Sequence, residues 1–156
     1  MSLTLLAPPL DSASSIASAT SAGHALTRGQ KRLIRESFSA VEPAADLVAR
    51  LFYLKSIDLD PSLRRLFKTP TRAERRDFMA AMKLAVISLD RLQELQPIIK
   101  LLGARKRQEG VESSAYATFR RAWVWTLEQS LEARFPREAE EAWTALFTRM
   151  TPAAAS

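Results

Sequence analysis

A chain of 156 residues, 47% hydrophobic and 26% charged, has the size and composition of one globular domain with a core. It contains no cysteine, which excludes disulfides, thiolate metal sites and cysteine nucleophiles, and its single histidine, His24, excludes metal sites built from two imidazoles. The net charge of +6 permits weak attraction to nucleic acid, but the 17 acidic residues are interspersed with the basic ones, as on a solvated helical surface.

The first 26 residues differ from the rest because they carry only one formal charge, Asp11, and are rich in serine and alanine. We expect this segment to be disordered. A double proline interrupts its short apolar run, so it does not resemble a secretory signal. No apolar run in the chain approaches the roughly 18 residues that a membrane span requires. We therefore predict a disordered tail over 1–26, a single cytoplasmic domain over 27–151 and a short C-terminal tail over 152–156.

The first half of the domain predicts two helices and a short helical turn. Thr27 followed by Gln30 is a capping-box signature, and apolar residues at helical spacing continue from there to Pro43, which ends the run. A second apolar pattern at helical spacing follows and predicts the second helix. Asp60 and Pro61 then open a short third segment, because aspartate caps helices and proline suits the first helical position.

The second half predicts four more helices. Thr71 and Glu74 repeat the capping box, and the next helix, around Pro97, ends in a basic turn where Gly110 would serve as the C-terminal glycine cap. A long helix with aromatic residues follows, and Pro136 opens the last one. Because no segment alternates with a period of two, we predict an all-α fold of six or seven helices without a sheet.

The chain offers few elements of catalytic chemistry. Its four glycines form no phosphate-binding motif, and one histidine leaves no nucleophile and base pair, so we expect no independent enzyme. Basic residues with mixed-sign neighbours are interpreted as solvated surface, and a grip on nucleic acid through them is the weaker hypothesis. These residues are Arg72, Arg75, Arg76, Arg105 and Arg107.

Several stretches carry a resemblance to a known family. LTRGQKRLIRESFSAVEPAADLVARLFYLKSIDLDPSLRRLFK, LDRLQELQPIIKLLGARKRQEGV, YATFRRAWVWTLEQSL and EEAWTALF resemble, in order and spacing, the bacterial globins. This haem-binding family includes single-domain haemoglobins and the globin modules of flavohaemoglobins. The resemblance covers about residues 26–150 and implies a globin fold of six to eight helices, a haem b cofactor and a diatomic ligand such as oxygen.

The resemblance also implies which residues line the pocket. Phe67 corresponds to the phenylalanine that packs on the haem face, and Tyr53 to the distal tyrosine that donates a hydrogen bond to iron-bound oxygen. Glu74 falls at the position of the distal glutamine or histidine. Tyr116 corresponds to a tyrosine that orients the proximal ligand, and Phe78 lies on the pocket-side helix.

The proximal ligand is where the chain departs from the family. The family has a histidine four residues before a Gly-Val pair, and four residues before Gly110 stands Lys106. Freeing the lone pair of an ordinary lysine costs about 4.6 kcal/mol at pH 7 (about 3.4 pKa units at about 1.36 kcal/mol each). The neighbouring Arg105 and Arg107 favour the neutral amine, whereas the helix C-terminus favours the ammonium. Lys106 is thus the candidate iron ligand, and Tyr53 as a phenolate is the alternative.

Two functional hypotheses follow. In the first, the protein binds haem and a diatomic ligand through atypical ligation, and any redox activity needs an external reductase. In the second, a haem-free globin fold serves sensing or interaction with a protein partner. Lys106 then stays charged and exposed, while Phe78 and Met82, one turn apart, fill the pocket.

Overall fold

The structure, a computed structural model, describes residues 25–67 and 69–155, and over these residues the chain is helical, without a strand. Residues 1–24, which include His24 and most of the predicted tail, lie outside the described residues. Six long helices and a short one follow in order: α1 (Arg28–Val41), α2 (Ala45–Leu59), α3 (Arg64–Phe67), α4 (Arg72–Ile87), α5 (Leu92–Gln108), α6 (Ala115–Leu131) and α7 (Arg137–Ala155). The predicted all-α fold is confirmed. None of these helices is long and apolar enough to cross a membrane.

Two helices begin with the reciprocal hydrogen bonds that their sequences predict. At α1, Thr27 Oγ1 accepts from the Gln30 N–H at 3.0 Å, and Gln30 Oε1 accepts from the Thr27 N–H at 2.9 Å. At α4, Thr71 Oγ1 accepts from the Glu74 N–H at 3.1 Å, and Glu74 Oε2 accepts from the Thr71 N–H at 3.0 Å. Each box satisfies two N–H groups that a helix start otherwise leaves without partners.

The ends of the folded domain differ from the predicted boundaries. Helix α7 continues through Pro152 to Ala155, so residues 152–155 belong to the last helix and not to a tail. Ala154 packs against α5, which keeps these residues helical although proline removes one backbone donor. At the other end, Leu26 is buried in the core, so packing begins within the predicted N-terminal tail.

The core lies where α1, α2, α6 and α7 meet. Trp123 and Trp143 are fully buried there and pack edge to face, with ring centroids 5.4 Å apart. The Trp143 Nε1–H donates to Ser37 Oγ at 2.7 Å, so the indole is buried without losing its hydrogen bond. Helix α2 packs chiefly on α6 and also contacts α4, while α5 packs chiefly on α7.

Ion pairs fasten the corner between α4 and α5 to α1. Asp90 in this corner accepts from Lys31 Nζ and from an Arg35 guanidinium nitrogen, each at 2.9 Å. Hydrogen bonds from these two cations hold the pKa of Asp90 below its ordinary value. Because the carboxylate is exposed, we count these contacts as orienting the corner more than as stabilising the fold.

Helices α5 and α7 meet at a glycine. A Cβ atom placed on Gly103 would overlap the backbone carbonyl group of Ala154. Only a residue without a side chain permits this approach, because the obstacle is helix backbone and not a flexible side chain. The contact fixes how closely α5 can lie on α7.

We predict that Gly103→Ala destabilises the protein by about 1–3 kcal/mol, the usual cost of overpacking. An exposed helical glycine changed to alanine normally gains up to about 1 kcal/mol, so the sign is informative. The matched control is Gly29→Ala in α1, where the added Cβ would lie at an ordinary 4.0 Å from Thr27 Oγ1. Urea unfolding of both variants measures the difference, and equal stabilities would contradict the close helix contact.

Candidate functional site

An aromatic cluster lies between α2, α3, α4 and α6. The Phe52 ring stacks on Phe78 with centroids 4.0 Å apart and planes at 12°. Tyr53 contacts Phe67 at 5.1 Å, and Phe67 contacts Phe119 at 5.9 Å. We call these five residues the aromatic wall. Offset and edge contacts of this kind add stability beyond the buried area, so the wall strengthens the core in which Phe52 and Tyr53 are buried.

Phe67, at the end of α3, joins this wall to a second apolar cluster. That cluster contains the buried residues Leu63, Val111 and Ala115, and Phe67 packs against it as well as against the main core. The segment after α5 is therefore anchored beside α3. Gly110 has a φ of +104°, which favours glycine, and a Cβ there would lie 3.2 Å from a Leu66 methyl carbon. The predicted glycine cap is confirmed.

The Tyr53 hydroxyl points from α2 toward the start of α4. The side chain is buried, and its hydroxyl donates to the backbone carbonyl of Glu74 over a long 3.5 Å. Burial raises the pKa of Tyr53 to about 12, and the negative charges of Glu74, Asp77 and Glu109 act in the same direction. The neutral phenol, a hydrogen-bond donor, is thus strongly favoured over the phenolate.

Lys106 lies in the last turn of α5, as predicted, and its side chain is half exposed. Its Nζ is 3.1 Å from Glu109 Oε2, three residues further along the chain. Glu109 is also near enough to raise the pKa of Tyr53. Glu109 thus contacts Lys106 directly, whereas it acts on Tyr53 only through its charge.

A family model described as Globin matches residues 50–154. The chain belongs to the globin family. Among solved structures, a hexacoordinated heme protein from an anhydrobiotic tardigrade, at pH 4, is similar to this globin with a TM-score of 0.74 and 15% identity, over 85% of this chain and 94% of that one. The neuroglobin of the photosymbiotic marine acoel Symsagittifera roscoffensis is similar with a TM-score of 0.67 and 16% identity, over 85% and 99% of the chains. At these identities the likeness concerns the fold.

Two further residues named from the resemblance have defined places in this globin. The Tyr116 ring is half-buried and packs edge-on against Phe119 at 5.8 Å, beside the aromatic wall, and burial raises its pKa. The Glu74 side chain is exposed, and its carboxylate is hydrogen-bonded to the Thr71 N–H. Glu74 thus meets Tyr53 through its backbone carbonyl, while its carboxylate caps α4.

The arginines considered for nucleic-acid binding are partly engaged in ion pairs. Arg75 pairs with Asp46 at 2.7 Å and also donates to the Pro70 carbonyl. Arg76 lies 3.9 Å from Asp77. These contacts agree with the interpretation of a mixed-charge, solvated helix surface.

A haem group needs apolar contacts for its porphyrin and a donor atom for its iron. The rings of Tyr53, Phe67 and Phe119 fit the apolar body of a porphyrin. Lys106 offers a nitrogen donor and Tyr53 offers an oxygen donor. Residues 25–67 and 69–155 contain no histidine. An ammonium has no lone pair, so the Lys106 donor fits only once its contact with Glu109 opens and the proton leaves. The residue types therefore fit the group, and a porphyrin would also have to separate the rings of Tyr53, Phe67 and Phe119, which pack on one another.

Sequence reasoning missed the roles of Phe52 and Glu109. Phe52 immediately precedes Tyr53 and appears from the sequence to be an ordinary core residue, so its stacking on Phe78 depends on how α2 crosses α4. Glu109 carries a local signal, because an acidic residue three positions after a lysine on a helix is a common pair.

We predict that Glu74→Ala destabilises the protein by about 1 kcal/mol through loss of the α4 cap, while Glu74→Gln stays close to wild type because glutamine completes the same box. Urea unfolding measures both. Wild-type stability in the alanine variant would show that the carboxylate is not needed as a cap.

The raised pKa of Tyr53 predicts that the protein loses stability at high pH. The pKa of Tyr53 is about 12 in the folded protein, against an ordinary value of 10.0. The stability that the neutral phenol contributes is therefore complete below pH 10 and disappears as the pH rises through 12. The variant Tyr53→Phe lacks this group and should lose less stability over that interval. Unfolding free energies measured below pH 10 and near pH 12 test the difference, and parallel losses in both proteins would contradict it.

Proposed function

We propose that this globin binds haem between the aromatic wall and the last turn of α5, which carries Lys106. The observation that supports the proposal most directly is the match of residues 50–154 to the Globin family model, together with the 5.1 Å contact between the rings of Tyr53 and Phe67, which the resemblance assigns to the pocket. Helix α2 supplies a phenol at the aromatic wall, and the last turn of α5 supplies an amine. The iron ligand we propose is Lys106, with Tyr53 as the alternative.

In this proposal each residue has a separate task. Phe67 and Phe119 provide apolar contact with the porphyrin, and Tyr53 donates its hydroxyl proton to an acceptor atom of a small ligand. Glu109 pairs with Lys106 at 3.1 Å, and this contact opens when Lys106 turns to the iron. The haem iron, when bound, supplies the site for a diatomic ligand such as oxygen.

Other parts of the proposal follow from the family and the composition. A b-type haem, held without covalent attachment, agrees with a chain that has no cysteine for thioether links. One of the two similar solved structures is a heme protein and the other is a neuroglobin, which supports haem binding by this globin. An external reductase, a bacterial origin and a cytoplasmic location stay predictions.

We expect purified wild-type protein titrated with hemin to develop a saturable Soret band with one equivalent bound. Lys106→Ala should weaken hemin binding at least tenfold and shift the band, because the ligand is lost. Glu109→Gln should strengthen binding up to about fivefold, because a partly exposed ion pair of up to about 1 kcal/mol no longer has to open. Lys100→Ala, another exposed lysine of α5, is the matched control and should bind as wild type.

The same titration can contradict the proposal. The absence of a saturable band in the wild-type protein would remove the haem function. A band that persists in Lys106→Ala and disappears in Tyr53→Phe would make Tyr53 the ligand.

A haem-free globin fold used for sensing or interaction is the second candidate. Two observations favour it: Phe78 already stacks on Phe52, and the Lys106 side chain is half exposed and paired with Glu109. Met82, one turn after Phe78, is buried in the same core. In this case, hemin binds without saturation. The Lys106→Ala and Glu109→Gln variants then behave like the wild-type protein.

A further inference from the structure

A surface groove of about 420 Å³ lies between α2, α6 and α7. Its charged and aromatic lining consists of Lys55, Arg120, Arg121, Trp125, Glu128 and Glu140. Lys55 follows Tyr53 by two residues, about 200° around α2, so the groove faces away from the Tyr53 hydroxyl. It is therefore separate from the candidate haem site. We call it the mixed-charge groove.

Four charges in the mixed-charge groove have no partner among residues 25–67 and 69–155. The side chains of Arg120, Arg121, Glu128 and Glu140 make neither an ion pair nor a hydrogen bond in the part of the chain that the structure describes. Nearby on α7, by contrast, Arg137 pairs with Glu141 at 3.3 Å. Two arginines and two glutamates thus share one recess without neutralising each other.

Apolar surface continues from this groove along α2. Leu47, Leu51, Lys55 and Leu59 follow at four-residue spacing and so form one ladder on the helix, of which Lys55 and Leu59 line the groove. Leu47 is 57% exposed, and Leu54, two turns after it, is 66% exposed. Exposed leucines beside a recess with an aromatic residue are typical of a contact surface.

Trp125 provides an anchor in the groove. It is half-buried, and the Lys55 Nζ lies 4.9 Å from its ring centroid, a cation–π contact, while Asp58 neutralises that lysine at 3.2 Å. Tryptophan and arginine are the residues that most often dominate binding energy at protein interfaces.

We infer that the mixed-charge groove and the exposed leucines of α2 form the interface of a homodimer with two-fold symmetry. A two-fold axis places the same patch of both copies face to face. Because Arg120 and Arg121 lie about two turns before Glu128 on α6, the patch is complementary to itself when the two α6 helices run antiparallel. Arg120 and Arg121 of one copy then form ion pairs with Glu128 and Glu140 of the other. The leucines of α2 pack around these ion pairs.

Charge balance favours a second copy over a different partner. An acidic protein would bring its carboxylates against Glu128 and Glu140, and a basic protein would meet Arg120 and Arg121, which costs several kcal/mol for like charges at an interface. A second copy brings both signs in equal number, since Lys55 is already paired with Asp58.

The test is a charge exchange between two variants of the full chain. The first, Arg120→Glu/Arg121→Glu, makes all four unpaired charges of the groove acidic, and the second, Glu128→Arg/Glu140→Arg, makes all four basic. We expect the wild-type chain of 17.4 kDa to elute in light-scattering chromatography at twice that mass. Each variant alone should self-associate at least tenfold more weakly, and an equimolar mixture should recover the dimer.

A matched control has the same charge change elsewhere. Arg64→Glu/Arg65→Glu alters two exposed arginines of α3 and should leave the dimer intact. Circular dichroism shows whether the variants are folded. If a double variant is not, Leu54→Glu tests the same interface at an exposed α2 position and should also yield monomers.

The proposal is overturned if the wild-type chain is a monomer at every concentration. It is also overturned if folded charge variants stay dimeric alone, or if their mixture stays monomeric. The measurement needs no haem, so its outcome is independent of the proposed haem function.

Discussion

The backbone contact between Gly103 of α5 and Ala154 of α7 is the constraint on which the candidate site depends. Because α5 lies so close to α7, its last turn reaches the region of α3, where Gly110 meets Leu66. Lys106 lies one turn before Gly110 and pairs with Glu109, whose charge also raises the pKa of Tyr53. A side chain at position 103 would push α5 away from α7 and move Lys106 with it.

Features that depend on residues close in the chain were predictable from the sequence. The two capping boxes join residues three positions apart, and the glycine cap at Gly110 depends on one backbone angle. The globin resemblance added long-range information, since it selected Tyr53 and Phe67, whose rings do meet. Local chemistry together with one family pattern was enough for the fold.

The rest could not be predicted because one side chain can serve two roles and the sequence does not choose between them. Glu74 completes a capping box and also falls at a distal pocket position, and its carboxylate is used by the cap. The end of α7 was misjudged because Pro152 signals a helix stop, while packing on α5 keeps the helix intact. The mixed-charge groove combines residues from three helices, so no sequence window contains it.

The long hydrogen bond of Tyr53 has a consequence for ligand affinity. At 3.5 Å the phenol O–H is at the limit of hydrogen bonding, so a buried donor is only weakly satisfied. Leaving such a group without a good partner costs about 1–3 kcal/mol, and an arriving oxygen atom at normal distance recovers that amount. In the proposed haem site, a small molecule that presents an acceptor at this point would therefore be favoured by a factor of roughly ten to a hundred over one that presents none.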